Sequence, residues 1–280
     1  MYSERTMSTH GNVFEGEIRS GVYGVRHCAI KLSRKSDNNA REAKLLSRLA
    51  SHTHVISIIQ SGFHQDLFED YVYIVLDKCH EQNLHQYFEF RQEYGVVYDV
   101  NVSLEYSRQI IAGLTYVHEN LIFHKDLKPS NILLSHDRET IKLADFGLSQ
   151  ELKSTSSKVF CKHPFGTSGF RPAESFGNSW ASLKSDIFSL GVVFYFMMSG
   201  GKSPFGDEFH LWTLNTKLGE TDLSQLLVPN PKTTEHLIKL MLNRERCRRP
   251  SIWQVAEHPC WTGREVQCDF GESEHDYTNA

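Results

Sequence analysis

The residues best suited to chemistry sit in two short stretches, His124-Lys125-Asp126-Leu127-Lys128-Pro129-Ser130-Asn131 and Asp145-Phe146-Gly147. They supply a carboxylate, a cation two positions on, and two further hard oxygen donors. Such a set suits phosphoryl transfer, which needs a carboxylate to orient the attacking hydroxyl, cations to hold phosphates, and oxygen ligands for magnesium. Asp126 can serve as the carboxylate, and Lys128 can reach the transferred phosphate. Asn131 and Asp145 are donors of the kind magnesium takes alongside phosphate oxygens and water. Taken singly, an Asp or Asn in a loop is an ordinary turn former. The triplet D-F-G alone carries nothing, because Asp269-Phe270-Gly271 repeats it near the C-terminus with no such loop before it. Spacing is what distinguishes the first pair. Ile132-Leu133-Leu134, a polar turn over 135–140 and Ile141-Lys142-Leu143 predict a short hairpin that returns Asn131 and Asp145 to one end.

The elements around these residues must hold them still. Leu104, Ser107, Ile110, Ile111, Leu114, Val117, His118 and Leu121 recur at helical spacing, which predicts a helix over 102–121 leading into the first stretch. His118 reads as a packing histidine. The apolar run 190–198 reads as a core helix. Upstream, residues 12–32 read as strands broken by a turn at Ser20-Gly21 and Gly24. Lys31 has apolar neighbours Ala29, Ile30 and Leu32, so both faces of its strand are expected to be covered, and a buried lysine needs a partner. A helix over 38–50, capped by Asn38 or Asn39, carries Glu42 and a stripe of Leu45, Leu46 and Leu49. His54 to Ile59 reads as loop and strand, 71–76 as a buried strand, and 84–90 as a short helix. Helices are also expected over 233–242 and 251–257.

Composition bounds the function class. A chain of 280 residues suits one large domain or two lobes. The formal charge of −4 gives no basic footprint for nucleic acid. The six cysteines are scattered, with no C-x-x-C pair, which argues against a zinc site or a disulfide framework and fits a reducing cytosol or nucleus. Residues 1–12 hold no apolar run, so no signal peptide is expected, and no stretch of about 18 apolar residues predicts a membrane span.

Taken in order, the motifs from Gly11 to Trp261 resemble a protein kinase domain, and Asp126-Leu127-Lys128-Pro129-Ser130-Asn131 is similar to its serine/threonine form. A narrower likeness rests on Asp186-Ile187-Phe188-Ser189, Val193-Phe194-Tyr195, Ser203-Pro204-Phe205-Gly206 and the short run from Lys31 to Glu42. These resemble the kinase domain of the group containing the inositol-requiring endoplasmic-reticulum stress sensor and ribonuclease L. With only 19 residues after Trp261, the resemblance is taken to cover the kinase domain and not a ribonuclease domain.

The resemblance implies an α+β, two-lobed fold over residues 1–263. A small β-sheet lobe with one helix would span 1–76, a hinge 77–80 and a mainly helical lobe 81–263, with a disordered acidic tail over 264–280. It implies that Lys31, positioned by Glu42, holds the ATP phosphates, and that Leu76 is the gatekeeper before a hinge at Asp77-Lys78-Cys79. Ala29, Leu133 and Val13 would contact the nucleotide. In the best register Gly11 is the third glycine of the phosphate loop, and the first two glycine positions fall on Thr6 and Ser8. Beta carbons there hinder close backbone approach to phosphate. The first strand of the sheet would be mostly missing.

The segment 145–174 is similar to an activation segment, rich in Ser and Thr, and reads as a mobile polar loop. Phosphate there could pair with Lys125, which stands where the family carries arginine and lacks the bidentate fork. Pro172-Ala173-Glu174 stands for the family's A-P-E, with Glu174 expected to pair with Arg249 and Asp186 to brace the catalytic loop. The implied activity is transfer of the γ-phosphate of ATP to serine or threonine of a protein substrate. Asp126, Lys128 and Asn131 would be catalytic, with Mg2+ on Asn131 and Asp145. A homodimer for trans-autophosphorylation, a cytoplasmic location and a role in stress signalling are compatible. The rival reading is an ATP-binding pseudokinase or dimerising scaffold, suggested by the altered glycine loop, the rearranged A-P-E and the lysine at 125.

Overall fold

The computed structural model describes residues 3–8, 11–20, 24–49, 51–65, 69–96 and 98–261. The second D-F-G, at 269–271, and the acidic tail lie outside these. The N-terminal lobe is a five-stranded antiparallel sheet of β1 (Ser3–Ser8), β2 (Gly11–Ser20), β3 (Gly24–Arg34), β4 (Ile58–Gln65) and β5 (Asp70–Asp77), in the order β1-β2-β3-β5-β4. A first strand is therefore present, contrary to the sequence expectation. It pairs Ser3 with Glu15 and Ser8 with Gly11, with one irregularity between Glu4 and Met7. Ser-Glu-Arg-Thr-Met-Ser has no apolar alternation to announce a strand; what the strand adds is backbone pairing along the edge of β2.

Helix α1 (Asp37–Arg48) packs on this sheet through buried Ala43, Leu45 and Leu46. Its cap is Ser36, whose hydroxyl accepts from the Asn39 backbone N–H, rather than Asn38 or Asn39. Asn39 instead turns its side chain back to the Arg34 carbonyl.

The C-terminal lobe is mainly helical. Helices α2 (Leu84–Glu93) and α3 (Val100–Glu119) come first. Then follow β6 (Ile122–Phe123), the hairpin β7 (Ile132–Leu134) and β8 (Ile141–Leu143), and β9 (Gln150–Glu151), which pairs with β6. Strands β10 (Val159–Cys161) and β11 (Ser179–Ala181) pair with each other before α4 (Leu183–Met198). Helices α5 (Trp212–Leu218), α6 (Pro231–Met241) and α7 (Ile252–Ala256) complete the lobe. Helix α4 is buried on all sides, from Leu183 through Met198 with only Lys184 outside, as expected of an apolar run that is a core element. Among the described residues no helix is long and apolar enough to cross a membrane.

One apolar core runs through both lobes, from Leu46 and Ile74 through Leu114 and Phe146 to Ile252. A satellite cluster of Phe123, Leu152, Cys161, Phe165, Ala181 and Leu183 lies under the segment 145–174. That segment is folded onto the lobe by β9, by β10 and by this cluster. The polar residues are concentrated at 153–158, whereas buried Leu152, Cys161 and Phe165 supply the anchors.

Candidate active site

The hairpin expected between the two chemical stretches forms, with Ile132 opposite Leu143 and Leu134 opposite Ile141. At its open end the Ala144 N–H donates to the Asn131 carbonyl at 2.9 Å, which fixes Asp145 beside Asn131. Asp145 has φ +61° and Lys125 has φ +72°. Non-glycine residues in this left-handed region are uncommon and strained, and such positions cluster at functional sites. Helix α3 backs the loop, and Asp186 on α4 binds it directly. Its carboxylate accepts the His124 N–H at 2.9 Å, the Lys125 N–H at 3.0 Å and a 3.0 Å contact from His118 Nε2. His118 is therefore a buried histidine with a carboxylate partner. Phe146 is wholly buried, its ring 4.8 Å from that of His124.

Four side chains meet at the loop. Lys128 Nζ lies 2.9 Å from Asp126 Oδ2 and donates to Thr167 Oγ1 at 2.7 Å. Thr167 in turn donates to Asp126 Oδ1 at 2.7 Å. Asn131 Nδ2 donates to the Asp126 carbonyl at 2.8 Å and to its Oδ2 at 3.2 Å. The Asp126 carboxylate is thus held by an amide, a hydroxyl and an ammonium, and it is 4% exposed. In the sequence Thr167 is one of many hydroxyls in the segment 145–174. Its engagement with both Asp126 and Lys128 sets it apart from Ser154, Ser156 and Ser157, whose hydroxyls contact one another.

The second group joins the lobes. Lys31 on β3 donates to Glu42 Oε1 and Oε2 at 2.8 and 3.0 Å and to Asp145 Oδ1 at 3.0 Å. Burial alone depresses the lysine pKa, but the charges and hydrogen bonds of Glu42 and Asp145 outweigh it and hold the pKa above its ordinary value. A protonated, clamped ammonium is what phosphate oxygens require. Around it, Val13 is the register partner of Lys31, and Ala29 that of Leu76. Leu133, at the centre of β7, is half-buried. The chain leaves β5 through Asp77, to which Arg26 donates, and burial pushes the Cys79 thiol up to about 11. Gly11 opens β2 opposite Ser8. Of Thr6 and Ser8, only their place in β1 is described.

The donor chemistry fits a nucleotide-borne magnesium ion. Asn131 and Asp145 offer one amide and one carboxylate at the hairpin end. Among the described residues no cluster of three or more His, Cys, Asp or Glu could hold a metal unaided. Magnesium bound here would need phosphate oxygens and water to complete its shell, as it does in nucleotide sites. Two shallow cavities of about 510 and 480 Å³ lie elsewhere, one beside Trp180 and Arg246 and one beside His52 and Trp261. Neither is lined by the residues of this cluster.

The half-buried Lys125 side chain lies over an aromatic ring of the segment 145–174. Its Nζ sits 5.2 Å from the centre of the Phe165 ring, and burial, with the nearby Arg41, lowers its pKa against the pull of Cys161 and Asp186. Glu174 accepts from Arg249 Nη1 and Nη2 at 2.6 and 2.8 Å and from Ser185 at 2.8 Å, tying the end of the segment to the lobe.

A sheet lobe with a clamped lysine, over a helical lobe whose loop presents Asp, Lys and Asn, is the architecture of nucleotide-dependent phosphoryl transfer. Residues 11–261 match the protein kinase domain, and the chain belongs to that family. It is 28% identical over 270 residues to the serine/threonine-protein kinase/endoribonuclease IRE1 of Oryza sativa subsp. japonica, covering 90% of this chain and 30% of that protein. It is 28% identical over 287 residues to IRE1b of Arabidopsis thaliana, at 90% and 32% coverage. The serine/threonine-protein kinase PLK4 of Danio rerio is 34% identical over 211 residues, 74% of this chain and 21% of the relative. The chain spans about a third or less of the length of these relatives.

Proposed function

We propose that this chain is an active protein serine/threonine kinase that transfers the γ-phosphate of Mg-ATP to protein hydroxyls. The observation that carries the reading is the joint retention of the two groups described above: Asp126, Lys128, Thr167 and Asn131 on one side, Lys31, Glu42 and Asp145 on the other. When bound, Mg-ATP supplies the phosphoryl group and the charge that offsets its oxygens. Asp126, oriented by Asn131 and Thr167, receives the substrate hydroxyl and its proton. Lys128 lies against Asp126, where it can neutralise the oxygens of the group in flight. Lys31, fixed by Glu42, holds the remaining phosphates, and Asn131 and Asp145 hold the metal.

The nucleotide would lie between the lobes, against Val13, Ala29, Leu76 and Leu133, with the backbone at Asp77 and Cys79 as the hinge and Gly11 closing the phosphate loop. In this reading the kinase domain covers 1–263, dividing at 77–80. Segment 145–174 of a second copy is a natural first substrate, through Ser154, Thr155, Ser156 and Ser157. Melting temperature tests the nucleotide half. Saturating Mg-ATP at about 100 times its Kd should add about 2.7 kcal/mol. Asp145→Asn should remove most of that gain. Transfer of labelled phosphate tests the other half. A wild-type chain that shows the Mg-ATP shift but transfers nothing would replace the kinase reading with that of a nucleotide-binding scaffold.

A further inference from the structure

The stretch that ties Thr167 to the catalytic carboxylate also carries a cation. The Phe170 and Arg171 N–H groups both donate to the Thr167 carbonyl, at 3.1 Å each, so residues 167–171 form one compact turn. Gly166 lies between the two groups that matter. A β-carbon built on it would stand 3.2 Å from Arg171 Cβ and 3.9 Å from Asp126 Oδ1. The base of the Arg171 side chain is therefore close to the Asp126 carboxylate.

Its guanidinium lies 4.4 Å from the centre of the Phe176 ring, and Lys217 Nζ lies 4.6 Å from the same ring. Helix α5 brings Lys217 there. Trp212 packs so closely on Gly169 that a β-carbon would overlap it at 2.4 Å, and Ser168 and Thr213 share a 3.2 Å hydroxyl contact. Two like charges on one ring repel each other, and among the described residues no carboxylate pairs with either. Glu174, the acid nearest to Arg171 in sequence, is already bonded twice to Arg249. Arg171 Nε is shut off from solvent without a hydrogen-bond partner, and burial lowers the Arg171 pKa with no acid opposing it. Buried donors and charges ordinarily find partners within the protein. Only that nitrogen is shut off: Arg171 as a whole is half-buried and Lys217 is exposed, so both cations remain open to an anion from solution.

We propose that Arg171 and Lys217 form a specificity site for an anionic side chain, a carboxylate or a phosphate, immediately beside the phosphoacceptor of the protein substrate. The proposal rests on the kinase reading for the word phosphoacceptor, but not for the binding itself. Arg171 provides planar donors and Lys217 a mobile point charge, a combination that accepts either anion.

The test uses labelled alanine-rich peptides with alanine at the acceptor position, titrated into the wild-type chain without nucleotide. The residues flanking that position are aspartate, phosphoserine, alanine or lysine. The acidic peptides should bind about tenfold tighter than the alanine peptide, a gap of about 1.4 kcal/mol. Lysine should be weakest, and the gap should narrow as salt rises. Comparing the aspartate and phosphoserine arms shows which anion the site prefers. Lys217→Met keeps the chain over Phe176 and should shrink the gap, as should Arg171→Leu. Lys217→Glu should shift preference towards the lysine peptide. No difference among the peptides, including no measurable binding of any, overturns the proposal, as does a gap that survives both neutral substitutions. Serine-bearing versions then separate the two readings. An acidic binding preference without phosphate transfer leaves this site standing and removes the kinase. Transfer without acidic preference does the reverse.

Discussion

Glu42→Gln isolates the clamp between the lobes, because it keeps the side-chain shape and an acceptor while removing the charge. Lys31 and Glu42 are buried, with side-chain exposures of 7% and 3%. Breaking a buried ion pair costs about 3–5 kcal/mol, because the remaining charge is stranded away from water. Asp145 still accepts from Lys31 at 3.0 Å, so the lower end applies. For 280 residues the unfolding entropy is about 0.6 kcal/mol/K, so a loss of about 3 kcal/mol lowers the melting temperature by about 5 °C.

The pH dependence carries a second signature. In the wild type the folded-state pKa of Lys31 is raised, so its contribution is complete below the unfolded value of 10.5 and is lost only as pH climbs through the raised value. In the variant, burial is opposed by Asp145 alone, and the folded pKa falls. Where it falls below the unfolded value, the unfolded state binds more protons and stability rises with pH. The deficit relative to wild type should therefore be larger at neutral pH than at about pH 9.5, near the lysine range. Paired thermal melts across that range are the assay. A variant melting within about 1 °C of wild type at neutral pH, or a deficit that does not shrink towards alkaline pH, would refute the clamp as described.

Two other substitutions read the scaffold. Glu174→Gln strands Arg249, whose side chain has 0% exposure, and should cost about 3–5 kcal/mol. Replacing both residues by leucine should recover much of that in melts, and full additivity of the two single losses would contradict the pairing. His258 is held down to about 4, first by burial and then by His236, whose Nδ1 is 3.1 Å from its Nε2. Its folded pKa is depressed, so below its ordinary 6.5 the unfolded chain takes the proton first and stability is lost as pH falls towards about 4. His258→Phe should flatten that part of the melting-temperature profile, and an unchanged slope would exclude His258 as its source.

Local signals in the sequence reached a good part of this arrangement. The β7–β8 hairpin is announced by two apolar triplets and a polar turn, and it delivers Asn131 and Asp145 together. The spacing of leucines on α1 carries Glu42 inward to Lys31. What escaped depends on partners distant in the chain or on choices among equivalent residues. Ser36, Asn38 and Asn39 can all cap a helix, and only the exit from β3 selects Ser36. Strand β1 has no periodic pattern because pairing with β2 does not demand one. The anchoring of segment 145–174 depends on Phe160 meeting Trp180 and on Phe165 meeting both Phe123 and Lys125. No local periodicity encodes the meeting of Arg171 and Lys217 over Phe176 either.

The central claim is that Asp126 and its three tethers form a working phosphoryl-transfer centre. The direct measurement is magnesium-dependent transfer of γ-phosphate by the purified chain beside Asp126→Asn, with modified residues mapped by mass spectrometry. Transfer to serine and threonine is expected in the wild type, with a rate lower by about 10²–10⁴-fold in the variant, the range for a positioned acid–base group. Equal rates in the two proteins, or no transfer by a wild-type chain that still binds Mg-ATP, would contradict that claim.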